Sequence, residues 1–332
     1  MPLFKNIILK LSYLAKTLGV EFLGNPNQEL IGITSPGNLN YKKICLISEK
    51  KYISESLSGA GAIVCSQDIV NQINNKNILL SDNPKLLFAE LSHLFKPNIS
   101  NPVYDSDLNI FLGENVSIGQ NFTTGAGVII EDSVIIGNNV SISHNVVIHH
   151  GVKIGDNVVI GSGSVIGSEG FGNVIDSNKR WNHISHLGSV RIGSNVRLGS
   201  NCSIDRGTID DTIINNGVII DNLVHIAHNV FIDENTAIAA KVGIAGSCKI
   251  GKRNMIGGMV GIIDHIKTTD DVIISATSTV NKNIDEPGVF TGIMPITQHS
   301  SWKRIAFWIT KLDKILKKLN FKKTINHEPN EY

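Results

Sequence analysis

Residues 214–262 read INNGVI IDNLVH IAHNVF IDENTA IAAKVG IAGSCK IGKRNM IGGMVG I, with isoleucine at every sixth position. The pulse continues in both directions. Upstream an aliphatic residue recurs at Leu112, Ile118, Ile130, Ile136, Ile142, Ile148, Ile154, Ile160 and Ile166, broken at Thr124, and again at Ile192, Leu198 and Ile204. Downstream it lapses at Thr268 and resumes at Ile274 and Val280. The next residue is often Gly, as at Gly119, Gly137 and Gly155, and the fourth is often Asn, as at Asn115, Asn139, Asn195 and Asn229. The fifth is small or β-branched. An amphipathic helix repeats about every 3.6 residues and a half-buried strand every two, so neither produces a period of six. A fixed hexapeptide period predicts a parallel β-helix. Each hexad supplies a short strand and a turn, and three hexads close a triangular coil of roughly 18 residues. The first and fifth residues point inward, while Asn and Gly accept the left-handed backbone that a tight corner needs.

This repeat resembles the left-handed hexapeptide-repeat family, most of whose members are acyltransferases, with a minority of metal-dependent hydratases and structural modules. The fold expected is mainly β: a left-handed parallel β-helix over 106–286, a small α/β domain over 1–105, and a C-terminal helical extension over 287–332.

Composition narrows the function classes. A net charge of +1 over 332 residues argues against a nucleic-acid partner, and 42% hydrophobic content describes a globular chain. No stretch of about eighteen uninterrupted apolar residues is present, so no membrane span is expected. The first twenty residues, MPLFKNIILKLSYLAKTLGV, are broken by Lys5, Lys10 and Lys16 and lack a small-residue cleavage site. They read as a folded helix rather than a secretory signal, which points to a cytoplasmic protein. The four cysteines show neither metal nor disulfide spacing. Cys202 and Cys248 fall on the inward fifth position and read as core.

Residues 1–105 carry no hexads. Apolar residues at Ile8, Leu11, Leu14, Ala15 and Leu18 predict a helix ending at Gly19, and a second is expected over 84–95 between Pro84 and Pro97. Strand-like runs lie at 62–65 and 77–80, and 98–107 reads as a linker. Two insertions interrupt the repeat: GSEGFGNVIDSNKRWNHISHLGSV (167–190) and the phase break in DRGTIDDT (205–212). Insertions in a solenoid are expected as external loops, often on the binding face. After Pro287 the repeat ends and a basic helix is expected. Trp302, Ile305, Ile309, Leu312, Leu316 and Leu319 form its apolar stripe. Its other face carries Lys303, Arg304, Lys311, Lys314, Lys317, Lys318, Lys322 and Lys323 against Asp313 alone.

Among eleven histidines, His228 is the leading candidate for chemistry because it is the third residue of its hexad, at a corner. One coil of about eighteen residues places Gly246 beside it, with Asp264 next in the column and His265 adjoining. A histidine that accepts a proton, beside a glycine whose N–H can face a ligand, suits acyl transfer. A solvated corner histidine is the bland alternative. The pairs His225/His228 and His149/His150 raise the question of zinc, but no third ligand falls in register with them, so no metal is expected.

The ordered set IDRG (204–207), DDTI (210–213), IDN (220–222) and HIAHNV (225–230) is distinctive. With GSEGFG (167–172), IAGS (244–247), IGG (256–258) and EPGV (286–289), it closely resembles the UDP-3-O-(3-hydroxyacyl)glucosamine N-acyltransferases of lipid A biosynthesis. The resemblance covers essentially the whole chain. It implies a homotrimer in a Gram-negative bacterium, with active sites between neighbouring β-helices. The implied donor is a (3R)-3-hydroxyacyl chain on acyl carrier protein, carried as a phosphopantetheine thioester, and no further cofactor is implied. The implied acceptor is the 2-amino group of a UDP-glucosamine already acylated at O3. His228 matches the general base and His265 the second active-site histidine, while the register of Gly246 makes its N–H, alone or with His265, the expected holder of the oxyanion. Asp221, Asn222 and Tyr52 match substrate-binding positions. In the uridine-binding-like stretch ICLISEKKY (44–52), Leu46 stands where Phe is usual and Glu49 where Asn is usual. The 275–283 stretch SATSTVNKN, expected to border the acyl groove, lacks the Met often found there. Acyl carrier proteins are acidic, so Lys303, Arg304, Lys311 and Lys314 are expected to dock the carrier. Two other readings stay open: an O-acyltransferase acting on a UDP-sugar, whose members usually lack the N-terminal domain, and a metal-binding β-helix of carbonic-anhydrase type.

Overall fold

The computed structural model describes residues 7–53, 55–107, 110–292 and 296–318. Leu319, Lys322 and Lys323, and the side chains of Asp313, Leu316, Lys317 and Lys318, lie outside the described residues.

The hexads form a left-handed parallel β-helix with three sheet faces. Each two-residue strand pairs in parallel with the strand one coil on, as Ser141–Ile142 does with Val159–Ile160 and His225–Ile226 with Gly243–Ile244. The insertions leave the register intact: Lys153–Ile154 pairs directly with Arg191–Ile192 across the longer one. First- and fifth-position side chains fill the prism, with Ile130, Val134, Val140, Ile148 and Val158 all at 0% exposure. Truncating one such residue, Ile148→Ala, would cost about 2–5 kcal/mol.

The corners confirm the reading of the fourth position. Asn115, Asn139, Asn195 and Asn229 have φ of 56°, 56°, 60° and 59°, in the left-handed region. Leu223, Met259 and His265 adopt it too, so the coil imposes the geometry whatever residue stands there. Asparagine adds a ladder: Asn121 Nδ2 donates to Asn139 Oδ1 at 2.8 Å, and Asn139 Nδ2 to Asn157 Oδ1 at 3.0 Å. The second-position glycines have a steric cause. A Cβ on Gly119 would lie 2.6 Å from the carbonyl carbon of Gly137, one coil away. The lapse at Thr268 is also explained, because its Oγ1 accepts from the buried Asn254 Nδ2 at 2.6 Å inside the prism.

The N-terminal region builds a five-stranded sheet in which Ile33–Thr34, Ile44–Leu46, Ala62–Cys65 and Ile78–Leu80 run parallel and Phe22–Leu23 closes one edge antiparallel. Helix α1 spans Leu11–Leu18 and ends on Gly19 at φ 65°. It is shorter than the apolar pattern suggested: Leu9–Lys10 is a strand paired with Glu29–Leu30, and Ile8 is exposed. Helix α2 spans Pro84–Leu94, and Asn83 caps it by accepting from the Leu86 N–H. The segment read as a linker contributes Val103–Asp105, which pairs antiparallel with Ile110–Leu112 and extends the sheet at the first coil. At the other end Gly288–Phe290 pairs with Val272–Ile274, beyond the last hexad.

The insertions are more than external loops. The longer one folds into a hairpin of Asn173–Ile175 and Trp181–His183. Ile184 and Leu187 from it, with Ile209 from the shorter one, pack against the core of the N-terminal sheet. Ser185 N–H donates to Ser92 Oγ of α2 at 2.9 Å. The insertions therefore join the α/β domain to the coil.

The C-terminal unit, considered by itself, is helix α3 over His299–Lys318. Among the described residues no helix is long and apolar enough to cross a membrane.

Candidate active site

A groove of about 670 Å³ runs along one edge of the prism, lined by His228, Gly246, Asp264 and His265, with Phe171 and His225 beside them. The register expected from an eighteen-residue coil holds. Ser247 N–H donates to the His228 carbonyl at 2.9 Å, and His265 N–H to the Gly246 carbonyl at 2.9 Å. His228 is half-buried, and His265 is exposed at a left-handed corner.

Gly246 faces the imidazole closely: a Cβ there would lie 2.7 Å from both Nε2 and Cε1 of His228. Glycine at 246 is thus the condition for the ring to occupy the corner. The Gly246 N–H is also distinctive. At comparable corners the third-position N–H donates to a side chain one coil on, as Lys252 does to Asp270 Oδ1 and Glu114 to Asp132 Oδ1, both at 2.8 Å. Among the described residues nothing accepts from Gly246 N–H.

The shorter insertion orients the imidazole. Asn229 Nδ2 donates to the Asp210 carbonyl at 2.7 Å, and Asn229 Oδ1 accepts from Thr208 N–H at 3.0 Å. That fixes the amide, whose oxygen then stands 3.2 Å from His228 Nδ1. Nδ1–H donates to this oxygen, leaving the Nε2 lone pair on the Gly246 side, toward the groove. Asp205 is buried at 5% exposure, accepts from Ser168 Oγ at 3.1 Å and has His225 Nε2 at 3.6 Å. Burial raises its carboxyl above the ordinary range, although the nearby His225 and Ser168 oppose the shift.

Comparisons with known proteins agree with this architecture. The bacterial transferase hexapeptide model (six repeats) matches residues 115–150 and 133–168, and that of the hexapeptide repeat of succinyl-transferase matches 189–234. A UDP-3-O-acylglucosamine N-acyltransferase of Vesicomyosocius okutanii is 51% identical over 320 residues, 93% of this chain and 96% of that protein. The chain belongs to the UDP-3-O-acylglucosamine N-acyltransferase family. Members from Ruthia magnifica and Campylobacter lari are 50% and 37% identical, over 94% and 89% of this chain and 97% and 95% of their own lengths. The solved UDP-N-acetylglucosamine acyltransferase from Campylobacter jejuni shares the fold, with TM-score 0.50 and 21% identity over 62% of this chain and 83% of that one.

Other residues singled out in this family member lie elsewhere. Asp221 and Asn222 are exposed and follow the strand Ile219–Ile220 on a different face from His225–Ile226, so one chain does not bring them to the His228 groove. Tyr52 ends the short turn Lys50–Tyr52 on the N-terminal domain, 43% exposed, with Lys51 Nζ 5.0 Å from its ring centre. It is not among the residues lining the groove. On α3, Lys303, Arg304 and Lys314 are exposed, and Lys311 Nζ lies 5.7 Å from the Phe307 ring centre.

His149 and His150 have another occupation. Both approach Glu131, at 3.0 and 3.5 Å, and Arg206, buried at 3% exposure, lies 2.9 Å from His150 Nδ1. Burial opposes ionisation of Glu131, but contacts with His149 and His150 outweigh it and hold the carboxyl well below the usual range.

Four residues in or beside the groove escaped the sequence reading: Asn229, Asp205, Phe171 and His186. His186 reaches the site from the long insertion, its ring centre 5.4 Å from that of His228 in an edge-on arrangement. No periodicity signals it, because its position depends on how the hairpin folds back. Met255, 56% exposed, stands one coil before Ile273, on an apolar face that also carries Ser275 and Ala276.

Proposed function

We propose that this chain N-acylates a UDP-3-O-acylglucosamine, with His228 as general base. The near full-length identity of 51% to a protein of that name supports the reaction. The single structural observation that carries the mechanism is the His228–Gly246 corner, where a bare Nε2 faces a glycine with an uncommitted N–H. The acceptor amine attacks the thioester carbonyl and yields its proton to His228 Nε2. Negative charge developing on the carbonyl oxygen is met by the Gly246 N–H, a donor already oriented and therefore effective without reorganisation. Collapse breaks the C–S bond, and the imidazolium returns the proton to the departing thiolate. The products are an amide and a free thiol. His265, on the same wall, contacts the donor or its oxyanion.

The donor in this proposal is a (3R)-3-hydroxyacyl group on the phosphopantetheine of an acyl carrier protein. Exposed Lys303, Arg304 and Lys314, with Lys311, supply the cationic surface that an acidic carrier needs. The working unit is a homotrimer. An apolar face bearing Ile219, Met255 and Ile273, each at least 39% exposed, supports a subunit interface. Such an assembly would bring the Asp221–Asn222 corner of one copy toward the His228 groove of another, and Tyr52 would hold the uracil. The reaction belongs to lipid A biosynthesis in the cytoplasm.

The test is direct. Purified protein is incubated with 3-O-acylated UDP-glucosamine and acyl carrier proteins bearing 3-hydroxyacyl chains of graded length, and the products are weighed and treated with mild alkali. A product heavier by one acyl group whose new linkage survives alkali supports N-acylation. An alkali-labile new linkage would instead establish O-acylation, and no acyl gain with any chain length would overturn acyl transfer.

A further inference from the structure

The long insertion assembles a second cluster, which the acyl-transfer mechanism does not use. Glu169 follows the strand Val165–Ser168, His183 ends the strand Trp181–His183, and His186 lies three residues further on. The hairpin folds these separated positions together, so that one ligand atom from each lies within 4.8 Å of the others. We propose that Glu169, His183 and His186 form a binding site for a divalent transition-metal ion of the zinc type.

Three observations carry the assignment. First, His186 is 98% buried, being 2% exposed, and its Nε2 has no hydrogen-bond partner among the described residues. A buried polar atom left unpaired is destabilising, and a ligand there would satisfy it. Second, His186 Nδ1 stands 3.0 Å from the Ile184 carbonyl. Nδ1–H donates there, so Nε2 keeps its lone pair, the arrangement by which metal-binding histidines are oriented through a backbone carbonyl. Third, the carboxylate is divided between two tasks. Glu169 Oε1 accepts from Lys96 Nζ at 2.6 Å, while Oε2 is directed at His183 Nε2, 2.5 Å away. Lys96 thus leaves one oxygen for the site, and the Oε2–Nε2 pair is the contact an ion would enter and separate.

The chemistry of the set fits. Two imidazoles and one carboxylate are a recurrent ligand group for zinc, with a fourth position left to water. Imidazole donors favour zinc, copper and nickel over magnesium and calcium, which prefer oxygen.

The experiment uses the full chain, dialysed against a chelator at pH 7.5 and then titrated with Zn²⁺ against a chromophoric competitor. The expected result is one zinc per chain, with affinity at least about a hundredfold weaker in His186→Gln, since even changes behind the ligands typically cost 10–100-fold. Glu169→Gln alters a more exposed side chain and should weaken zinc in the same way, covering the case in which His186→Gln does not fold. Co²⁺ should give visible d–d bands without a thiolate charge-transfer band. Wild-type affinity no higher than that of folded Glu169→Gln or His186→Gln would overturn the proposal. So would thiolate ligation of cobalt, or zinc binding lost in His225→Gln but kept in Glu169→Gln.

Discussion

Asn229 Oδ1 stands 3.2 Å from His228 Nδ1, and the amide is held in that orientation by the Asp210 carbonyl and the Thr208 N–H. The neighbouring residue therefore sets the tautomer of the proposed base, and the shorter insertion sets the neighbour. Asn229 also occupies the left-handed corner at φ 59°, so one residue closes the coil and orients the ring.

This relationship predicts different outcomes for two substitutions. Asn229→Gly keeps the backbone geometry but loses the acceptor, and kcat should fall about 10–100-fold, a modest share of a typical general-base contribution. Asn229→Asp keeps an acceptor and adds negative charge, although it loses the Nδ2 donor to the Asp210 carbonyl. It should retain more activity, with the acidic limb of the kcat/KM profile moved to higher pH, because a carboxylate favours the protonated imidazole. Identical losses and unchanged profiles in both variants would show that Asn229 serves the corner alone.

Removal of the base should be the most damaging single change. His228→Ala should lower kcat by about 10²–10⁴-fold, the usual range for a positioned general base, while Tm stays near wild type. A variant retaining most of its turnover rules out this role.

Gly246→Ala is expected to inactivate the enzyme without unfolding it. The added methyl would lie 2.7 Å from His228 Nε2, so the imidazole must swing away. A crystal structure of the variant should show a rotated His228. An active Gly246→Ala with the ring unmoved would contradict both the packing and the proposed alignment of base and oxyanion donor.

The cationic face of α3 should act on carrier affinity alone. Reversing Lys303 and Lys314 to Glu should raise KM for the acylated carrier several-fold and flatten its salt dependence, because screening then has less attraction to remove. KM for the UDP-sugar should hardly move. Unchanged carrier KM and salt slope would make the helix purely structural.

Glu131 should contribute acid-sensitive stability. Its carboxyl is held below the ordinary range through His149 and His150 despite burial. A lowered folded-state value means that stabilisation is fully present above the unfolded-state range, near pH 4.5, and is lost as pH falls below it. Glu131→Gln should cost about 1–3 kcal/mol at pH 7, the worth of hydrogen bonds to a charged group, with the gap from wild type narrowing below about pH 4. Parallel stability curves down to pH 3 would contradict this.

The β-helix and the His228–Gly246–Asp264 column were legible in the sequence because a solenoid is nearly one-dimensional. A fixed period of six residues converts chain position directly into coil, face and corner, so residues eighteen apart become neighbours by counting. The same counting identified Cys202 and Cys248 as core, and both are buried. What the tertiary structure alone decided lies where the period fails. The hairpin of the long insertion brings Glu169, His183 and His186 together and sets His186 against His228, while the phase break brings Asp210 and Thr208 to the amide of Asn229. Repeats encode position through local spacing, whereas an insertion takes its shape from the surfaces it packs between. Here those surfaces are a coil on one side and the core of the N-terminal sheet on the other.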